Sequence, residues 1–121
     1  MDARTSVLVV AKPGPLRDSL VALLKSLPQV ATVEQTNTAT SALRTIEVKR
    51  PALVVVDSNL PGGETWNMLN QVKARSPHTR CVVLSDTVQH YRQAEAAGAS
   101  RVLLTGVPAP KLSLTLEGLL S

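Results

Sequence analysis

The chain has 121 residues, of which 44% are hydrophobic, 18% charged and 2% aromatic, with a formal net charge of +4. This length fits one domain, which we expect over residues 1–121 with a core of Leu, Val, Ala and Ile. The single cysteine, Cys81, excludes a disulfide framework, and no apolar stretch could span a membrane. The N-terminus lacks the features of a signal peptide, so we expect a cytoplasmic protein.

The positive charge is scattered along the chain. Thirteen Lys and Arg residues oppose nine Asp and Glu, and the basic residues do not cluster in sequence. Aromatic side chains, which stack on bases in many nucleic-acid interfaces, are limited to one Trp and one Tyr. We therefore do not expect this domain to bind nucleic acid directly.

The N-terminal part of the chain predicts a strand, a helix and a second strand. Ser6–Ala11 has the length and β-branching of a buried strand, and the residues Pro13–Pro15 end it. A helix is predicted from Leu16 until Pro28, followed by a weaker strand at Val30–Glu34. The apolar face of this helix consists of Leu16, Leu20, Leu23, Leu24 and Leu27.

A second amphipathic helix and a strongly apolar strand follow. Hydroxyl and amide side chains at positions 36–38 offer caps for the helix start, and Lys49–Pro51 ends it, because cations suit the negative end of the helix dipole. Leu53–Val56 is too β-branched for a comfortable helix and predicts a strand buried on both faces. The inward residues of the helix are Ala39, Ala42, Leu43 and Ile46.

Asp57 follows this buried strand directly. A carboxylate at the carboxyl end of a central parallel strand lies at the crevice where open α/β sheets bind ligands, so it can be solvated and reactive. The alternative is that Asp57 only ends the strand and caps a turn, since Pro61–Gly63 favours a loop just beyond it.

The C-terminal half continues the alternation of helices and strands. We predict a helix over Glu64–Arg75 and a strand over Cys81–Leu84. Asp86, with Gln89 three residues later, resembles a capping box for a fourth helix. That helix ends just before Gly98, which suits a left-handed C-terminal residue.

The last elements complete five strand–helix units. Arg101–Leu104 is the fifth strand, Thr105–Pro110 is a loop, and a stripe of leucines marks the last helix. Five strands alternating with five helices over short connections predict a doubly wound parallel sheet, a (βα)5 three-layer sandwich. The strand ends expected to meet at one edge of that sheet carry Ala11, Asp57, Ser85 and Thr105.

Three segments, in their order and spacing, resemble the receiver domain of two-component response regulators, the flavodoxin-like module of the chemotaxis regulator. They are Val54–Gly62 (Val-Val-Val-Asp-Ser-Asn-Leu-Pro-Gly), Val82–Ser85 and Ala96–Ser100. The resemblance extends from Val7 to about Leu120 and implies a flavodoxin-like five-stranded parallel sheet. It implies a signalling domain of a phosphorelay rather than an enzyme.

The resemblance also implies a five-residue constellation, with the phosphoacceptor on Asp57 and a switch hydroxyl on Ser85. The alternative for Ser85 is that its hydroxyl only bonds a neighbouring backbone group. In the family, Mg²⁺ is bound by the acceptor and an acid pair after the first strand, because attack on a phosphodonor brings two anions together. The positions that depart from the family are Ala11 and Lys12 for the acid pair, Thr105 for a lysine, and Val102 for an aromatic switch residue.

These departures change the charge around Asp57. A single carboxylate in a neutral or positive pocket binds a hard cation poorly, so we expect no Mg²⁺ or other cofactor, and impaired or absent phosphorylation. We predict that the ammonium of Lys12 reaches towards Asp57 and replaces part of the metal's electrostatic role. The alternative is that Lys12 extends into solvent without a role.

The sequence favours two functions. The first is a degenerate receiver that signals through protein–protein contacts, for instance on the face of the fourth helix, fifth strand and fifth helix. The second is a functional receiver phosphorylated at Asp57 by a histidine kinase, in the N-terminal part of a DNA-binding transcriptional regulator. The expected partners are a histidine kinase or an output domain, and a homodimer is left open.

Other chemistries are disfavoured. A flavin or nucleotide module shares the predicted fold, but the chain has no Gly-x-Gly-x-x-Gly or Walker sequence. His78 and His90 are isolated in sequence from the partners that catalysis or metal binding needs. Trp66 is expected to pack across a domain edge and is assigned no ligand. We therefore predict no catalytic residue and no metal ligand.

Overall fold

The computed structural model describes residues 5–60, 64–85, 87–104 and 109–120, in which five strands alternate with five helices. The strands are β1 (Thr5–Val10), β2 (Val30–Thr36), β3 (Leu53–Asp57), β4 (Arg80–Ser85) and β5 (Arg101–Leu104). The helices are α1 (Pro15–Lys25), α2 (Ala39–Lys49), α3 (Thr65–Arg75), α4 (Val88–Ala96) and α5 (Ala109–Leu120).

The strands form one parallel sheet in the order β2-β1-β3-β4-β5. The central strand is β3, whose five residues are all buried. Continuous burial explains why its sequence is an unbroken apolar run instead of an alternating one. The predicted flavodoxin-like (βα)5 fold is therefore confirmed.

The two faces of the sheet carry two separate aliphatic cores. Successive side chains of a strand point to opposite faces, so Val54 and Val56 pack with α2, α3 and α4, whereas Leu53 and Val55 pack with α1 and α5. The same alternation holds in β1. Leu8 lies in the core with Val54 and Val56, and Val7 and Val9 lie in the core with Leu53 and Val55. These cores hold the strand ends in fixed positions at one edge of the sheet.

Several predicted details are confirmed. Thr38 caps α2, because its hydroxyl accepts a hydrogen bond from the backbone N–H of Ser41 at 3.1 Å. Gly98 has φ +93°, the left-handed conformation predicted for it. No helix in the described ranges has the length and apolar character needed to cross a membrane.

Three predicted details are wrong. The N-cap of α4 is Thr87 and not Asp86, because the Thr87 hydroxyl accepts from the N–H of His90 at 3.1 Å. Leu16 is 39% exposed, and Val21 is buried on α1 instead. The last helix begins at Ala109, with Pro110 in its first turn, where no intrahelical donor is needed. The loop predictions at Pro61–Gly63 and at positions 105–108 lie outside the described residues, as does Asp86 itself.

Candidate functional site at the carboxyl edge of the sheet

Asp57 is the last residue of β3, at the centre of the sheet's carboxyl edge. Its register partner on β4 is Leu84, so Ser85 follows beside it, and the pairing of Val10 with Val56 brings Ala11 next to Asp57 on the other side. The sheet thus brings together three of the sequence-predicted positions: Ala11, Asp57 and Ser85.

The Asp57 carboxylate is held by its own turn. Oδ1 accepts a hydrogen bond from the N–H of Asn59 at 3.0 Å, and the residue is 6% exposed. The turn is tied to the first residue of α3, because the buried Thr65 hydroxyl donates to the Asp57 carbonyl at 3.1 Å. Asp57 therefore caps its turn, as the simpler sequence interpretation expects, and it lies at the carboxyl end of the central strand.

The end of β1 presents cations instead of acids. Lys12 is exposed, and no ion pair joins it to Asp57, although both lie in the described residues. Arg17 from the first turn of α1 is half-buried, and its Nη1 donates to the Ala11 carbonyl at 3.4 Å. The Lys12–Asp57 interaction therefore stays a prediction, and Arg17 adds a second positive group that sequence reasoning missed.

The donor set at this edge does not fit Mg²⁺. Mg²⁺ prefers an octahedron of oxygen ligands built on one or more carboxylates. The described residues offer the Asp57 carboxylate, of which one oxygen already accepts from Asn59, together with the Ala11 methyl and the cations of Lys12 and Arg17. In the described ranges no group of three His, Cys, Asp or Glu side chains is placed to hold a metal ion. The charges present would repel a divalent cation.

The hydroxyl of Ser85 is engaged with the neighbouring backbone. Ser85 is fully buried, and its Oγ donates to the Thr87 carbonyl at 2.7 Å. The same Oγ accepts from the Thr87 N–H at 3.3 Å. This local turn positions Thr87 to cap α4, and it gives the hydroxyl both of the partners it needs without a phosphoryl group.

The two remaining family positions lie at β5. Val102 is half-buried and packs against the core on the α2, α3 and α4 face of the sheet. Its branched aliphatic side chain cannot make the ring reorientation that an aromatic residue would allow. Thr105 lies outside the described residues.

The sequence does not reveal a contact between His90 of α4 and the loop that follows Asp57. In the structure His90 Nδ1 lies 3.3 Å from the Ser58 hydroxyl, next to Asp57. The imidazole also meets the indole of Trp66 edge-on, with ring centroids 5.6 Å apart. His90 therefore has tertiary neighbours that its sequence does not reveal, and its lack of a catalytic or metal-binding role stays a prediction.

The family follows from comparison with known proteins. Residues 7–117 match the model of the response regulator receiver domain. The chain belongs to this family. Receiver domains are signalling modules, and the match includes the whole carboxyl edge described above, so Asp57 occupies the strand end of a receiver.

One curated relative and several solved structures are similar to this receiver domain. The DNA-binding transcriptional activator DevR/DosR of Mycobacterium tuberculosis is 26% identical over 109 residues, which cover 88% of this chain and 50% of that protein. The chain thus spans half the length of this curated relative.

The solved structures agree with the fold. A LuxR-family two-component response regulator from Aurantimonas matches with a TM-score of 0.87 and 21% identity, covering 97% of this chain and 85% of that one. A CheY-like receiver domain protein from Methanospirillum hungatei gives 0.85 and 21%, covering 97% and 94%. At this level of identity the solved structures support the shared architecture alone.

Proposed function

We propose that this receiver domain signals through protein–protein contacts, and that Mg²⁺-dependent phosphorylation of Asp57 is impaired or absent. The observation that carries the proposal is the residue set at the end of β1, where Ala11 lies next to Asp57 by the sheet register, Lys12 follows Ala11 in sequence, and Arg17 donates to the Ala11 carbonyl. A divalent ion at this edge would find one carboxylate and neighbouring cations instead of an acidic ligand set.

The loss of a divalent ion would be costly for phosphoryl transfer. The transferred group spreads negative charge over its oxygens, and catalysis relies on positioned positive partners. Removal of one such electrostatic stabiliser commonly lowers a rate by about 10²–10³-fold. Lys12 and Arg17 could attract a phosphodonor, but Lys12 is exposed, and Arg17 is half-buried with its Nη1 donating to the Ala11 carbonyl at 3.4 Å.

The two positions that correspond to the family's switch residues, Ser85 and Val102, support the same proposal. The Ser85 hydroxyl is satisfied by Thr87, and Val102 is aliphatic. A phosphoryl group on Asp57 would have to break the Ser85 turn, which also sets the cap of α4, to recruit this hydroxyl. We infer that the domain keeps one conformation and presents a constant surface to a partner protein, in a cytoplasmic location.

A second function is favoured by the relative that binds DNA. If this chain is part of a longer regulator, Asp57 would be phosphorylated by a histidine kinase, and a following domain would act on DNA. The match to DevR/DosR, a DNA-binding transcriptional activator of twice the matched length, supports this candidate. Asp57 supports it too, since it ends the central strand, where the sequence resemblance puts the phosphoacceptor.

One experiment separates the two functions. The chain is incubated with Mg²⁺ and acetyl phosphate, or with beryllofluoride, while intact mass and Trp66 fluorescence are followed. Trp66 reports on the site because it contacts His90, which lies against Ser58. We expect no adduct and no fluorescence change. An adduct that disappears in Asp57→Asn would overturn the first function and support the second.

A further inference from the structure

A groove lies between the C-terminal ends of α2 and α3, at the edge of the sheet opposite Asp57. It consists of two adjoining clefts of about 290 and 330 Å³, which share Arg50, Arg75 and Ser76 in their walls. The half-buried Leu43 lines the first cleft, and Ile46 and Val72, which are 3% and 1% exposed, form its apolar floor. The groove therefore combines an apolar lining with two guanidinium groups.

Arg50 adopts a backbone conformation that is unusual for its residue type. Its φ of 46° and ψ of 61° are left-handed, and among the described residues it is the one with positive φ that is not glycine. Gly or Asn is preferred at this helix C-terminal position, because a β-carbon is strained there. The chain tolerates the strain and thereby places a guanidinium group in both clefts.

The charge of the groove is not neutralised within the domain. Lys49, next to Arg50, forms a salt bridge with Glu34. Neither Arg50 nor Arg75 forms a salt bridge within the described residues, and both are exposed. Glu47 also lines the first cleft, so two guanidinium groups face one carboxylate.

We propose that this groove binds an acidic peptide segment of a partner protein, with an aliphatic side chain among Leu43, Ile46 and Val72 and flanking carboxylates on Arg50 and Arg75. Guanidinium groups bind carboxylates with two parallel hydrogen bonds, which matches this arrangement. The inference rests on the proposed function in one respect, namely that the output is a protein contact, and it makes no use of Asp57.

A peptide fits the groove better than a nucleic acid. The groove is lined by aliphatic side chains, by Pro51 and Pro77 and by polar residues; His78 lines the second cleft, and neither Trp66 nor Tyr91 lines either cleft. Protein surfaces that bind nucleic acid combine long rows of basic residues with aromatic side chains that stack on bases. This groove has only two arginines among its lining residues. Charge complementarity together with the apolar lining therefore points to a segment that carries both Glu or Asp and Leu or Ile.

The test uses a set of short fluorescein-labelled peptides in which one Leu is flanked by Glu at varied spacings, with Gln and Ser replacements as controls. Binding to the 121-residue chain is followed by fluorescence anisotropy. Mg²⁺ and phosphodonor are left out, so that the measured binding does not depend on phosphorylation of Asp57. Arg50→Gly removes the guanidinium and suits the left-handed backbone, and Arg75→Gln is the second variant. Lys49→Gln is the matched control, since it makes the same charge change at a paired residue.

We expect some of the Leu–Glu peptides to bind, and both arginine variants to weaken that binding by about tenfold or more, since charge-assisted hydrogen bonds are lost. Lys49→Gln should leave it unchanged, and the Gln and Ser peptides should not bind. The proposal is overturned if no peptide in the set binds, if Arg50→Gly binds as well as the wild type, or if heparin or single-stranded DNA binds through Arg50 while the peptides do not.

Discussion

At the scale of single residues, the chemistry of this receiver depends on which charges stand beside Asp57. A family that binds Mg²⁺ at this edge needs acids after β1, and the chain has Ala11 and Lys12 there, with Arg17 behind them. Asp57 by itself marks the end of the central strand. The charges of its neighbours determine whether its carboxylate can bind a metal ion or accept a phosphoryl group. Those neighbours argue against divalent-ion chemistry.

Cys81 provides a residue-scale test that is independent of Asp57. The thiol lies in β4, 5% exposed, and burial raises the pKa of Cys81 from 9.0 to about 11. The folded state therefore keeps its proton to higher pH than the unfolded state does. This contribution to stability is complete below pH 9 and is lost as the pH rises from 9.0 to about 11.

We expect the free energy of unfolding of the wild type to fall more steeply over this interval than that of Cys81→Ala, by at most about 1.4 kcal/mol per pH unit. Urea unfolding of both proteins at a series of pH values measures the difference in slope. Parallel curves would show that the thiol ionises equally well in the folded and unfolded states.

At the scale of secondary-structure elements, the side chain of His90 connects α4 to the loop that follows Asp57. His90 meets Trp66 of α3 and lies within hydrogen-bonding distance of the Ser58 hydroxyl. A short helix with one buried residue, Ala94, depends strongly on such contacts. The position of α4 is therefore coupled to the loop that follows Asp57.

His90→Ala should loosen α4 without unfolding the domain. The aromatic contact and the hydrogen bond are each worth about 1 kcal/mol, so amide exchange in α4 should rise by roughly 30-fold. Gln89→Ala, at an exposed position of the same helix, is the control and should change exchange little. Equal exchange in the two variants, measured by NMR, would mean that His90 does not hold the helix.

The whole molecule is stabilised by two aliphatic cores on the faces of one sheet. Leu8 is fully buried in the middle of this arrangement, while Leu114 on α5 is 70% exposed. Leu8→Ala should lower the free energy of unfolding by about 2–5 kcal/mol, because it leaves a cavity in a close-packed core. Leu114→Ala should change it by less than about 0.5 kcal/mol. Urea denaturation of both variants checks the contrast, and a similar loss in both would contradict this packing.

The sequence predicts this fold well because the buried strands are apolar runs and the helices have regular apolar faces. The order of elements, the Thr38 cap and the left-handed Gly98 all follow from local chemistry. The N-cap of α4 was misassigned, since both Asp86 and Thr87 belong to types that cap helices. The surroundings of Asp57 were only partly predictable, because the contacts of Arg17 and His90 depend on tertiary packing.

The groove beside Arg50 was invisible in the sequence for the same reason. Arg50 and Arg75 belong to the ends of different helices, and only the packing of α2 against α3 brings them together. In the sequence, Lys49 and Arg50 before Pro51 indicate only an ordinary helix end. Its left-handed backbone and its shared clefts become apparent once the structure is known.

The most direct measurement is Mg²⁺ affinity, compared between the wild type and variants that restore acids at the end of β1. Lys12→Asp, alone and combined with Ala11→Asp, provides carboxylates where the family has them, and NMR shifts at Asp57 and Ser58 follow the titration. We expect no saturable Mg²⁺ binding in the wild type and a gain of binding in the double variant. Saturable binding to the wild type at Asp57, with an affinity equal to that of the double variant, would contradict the account.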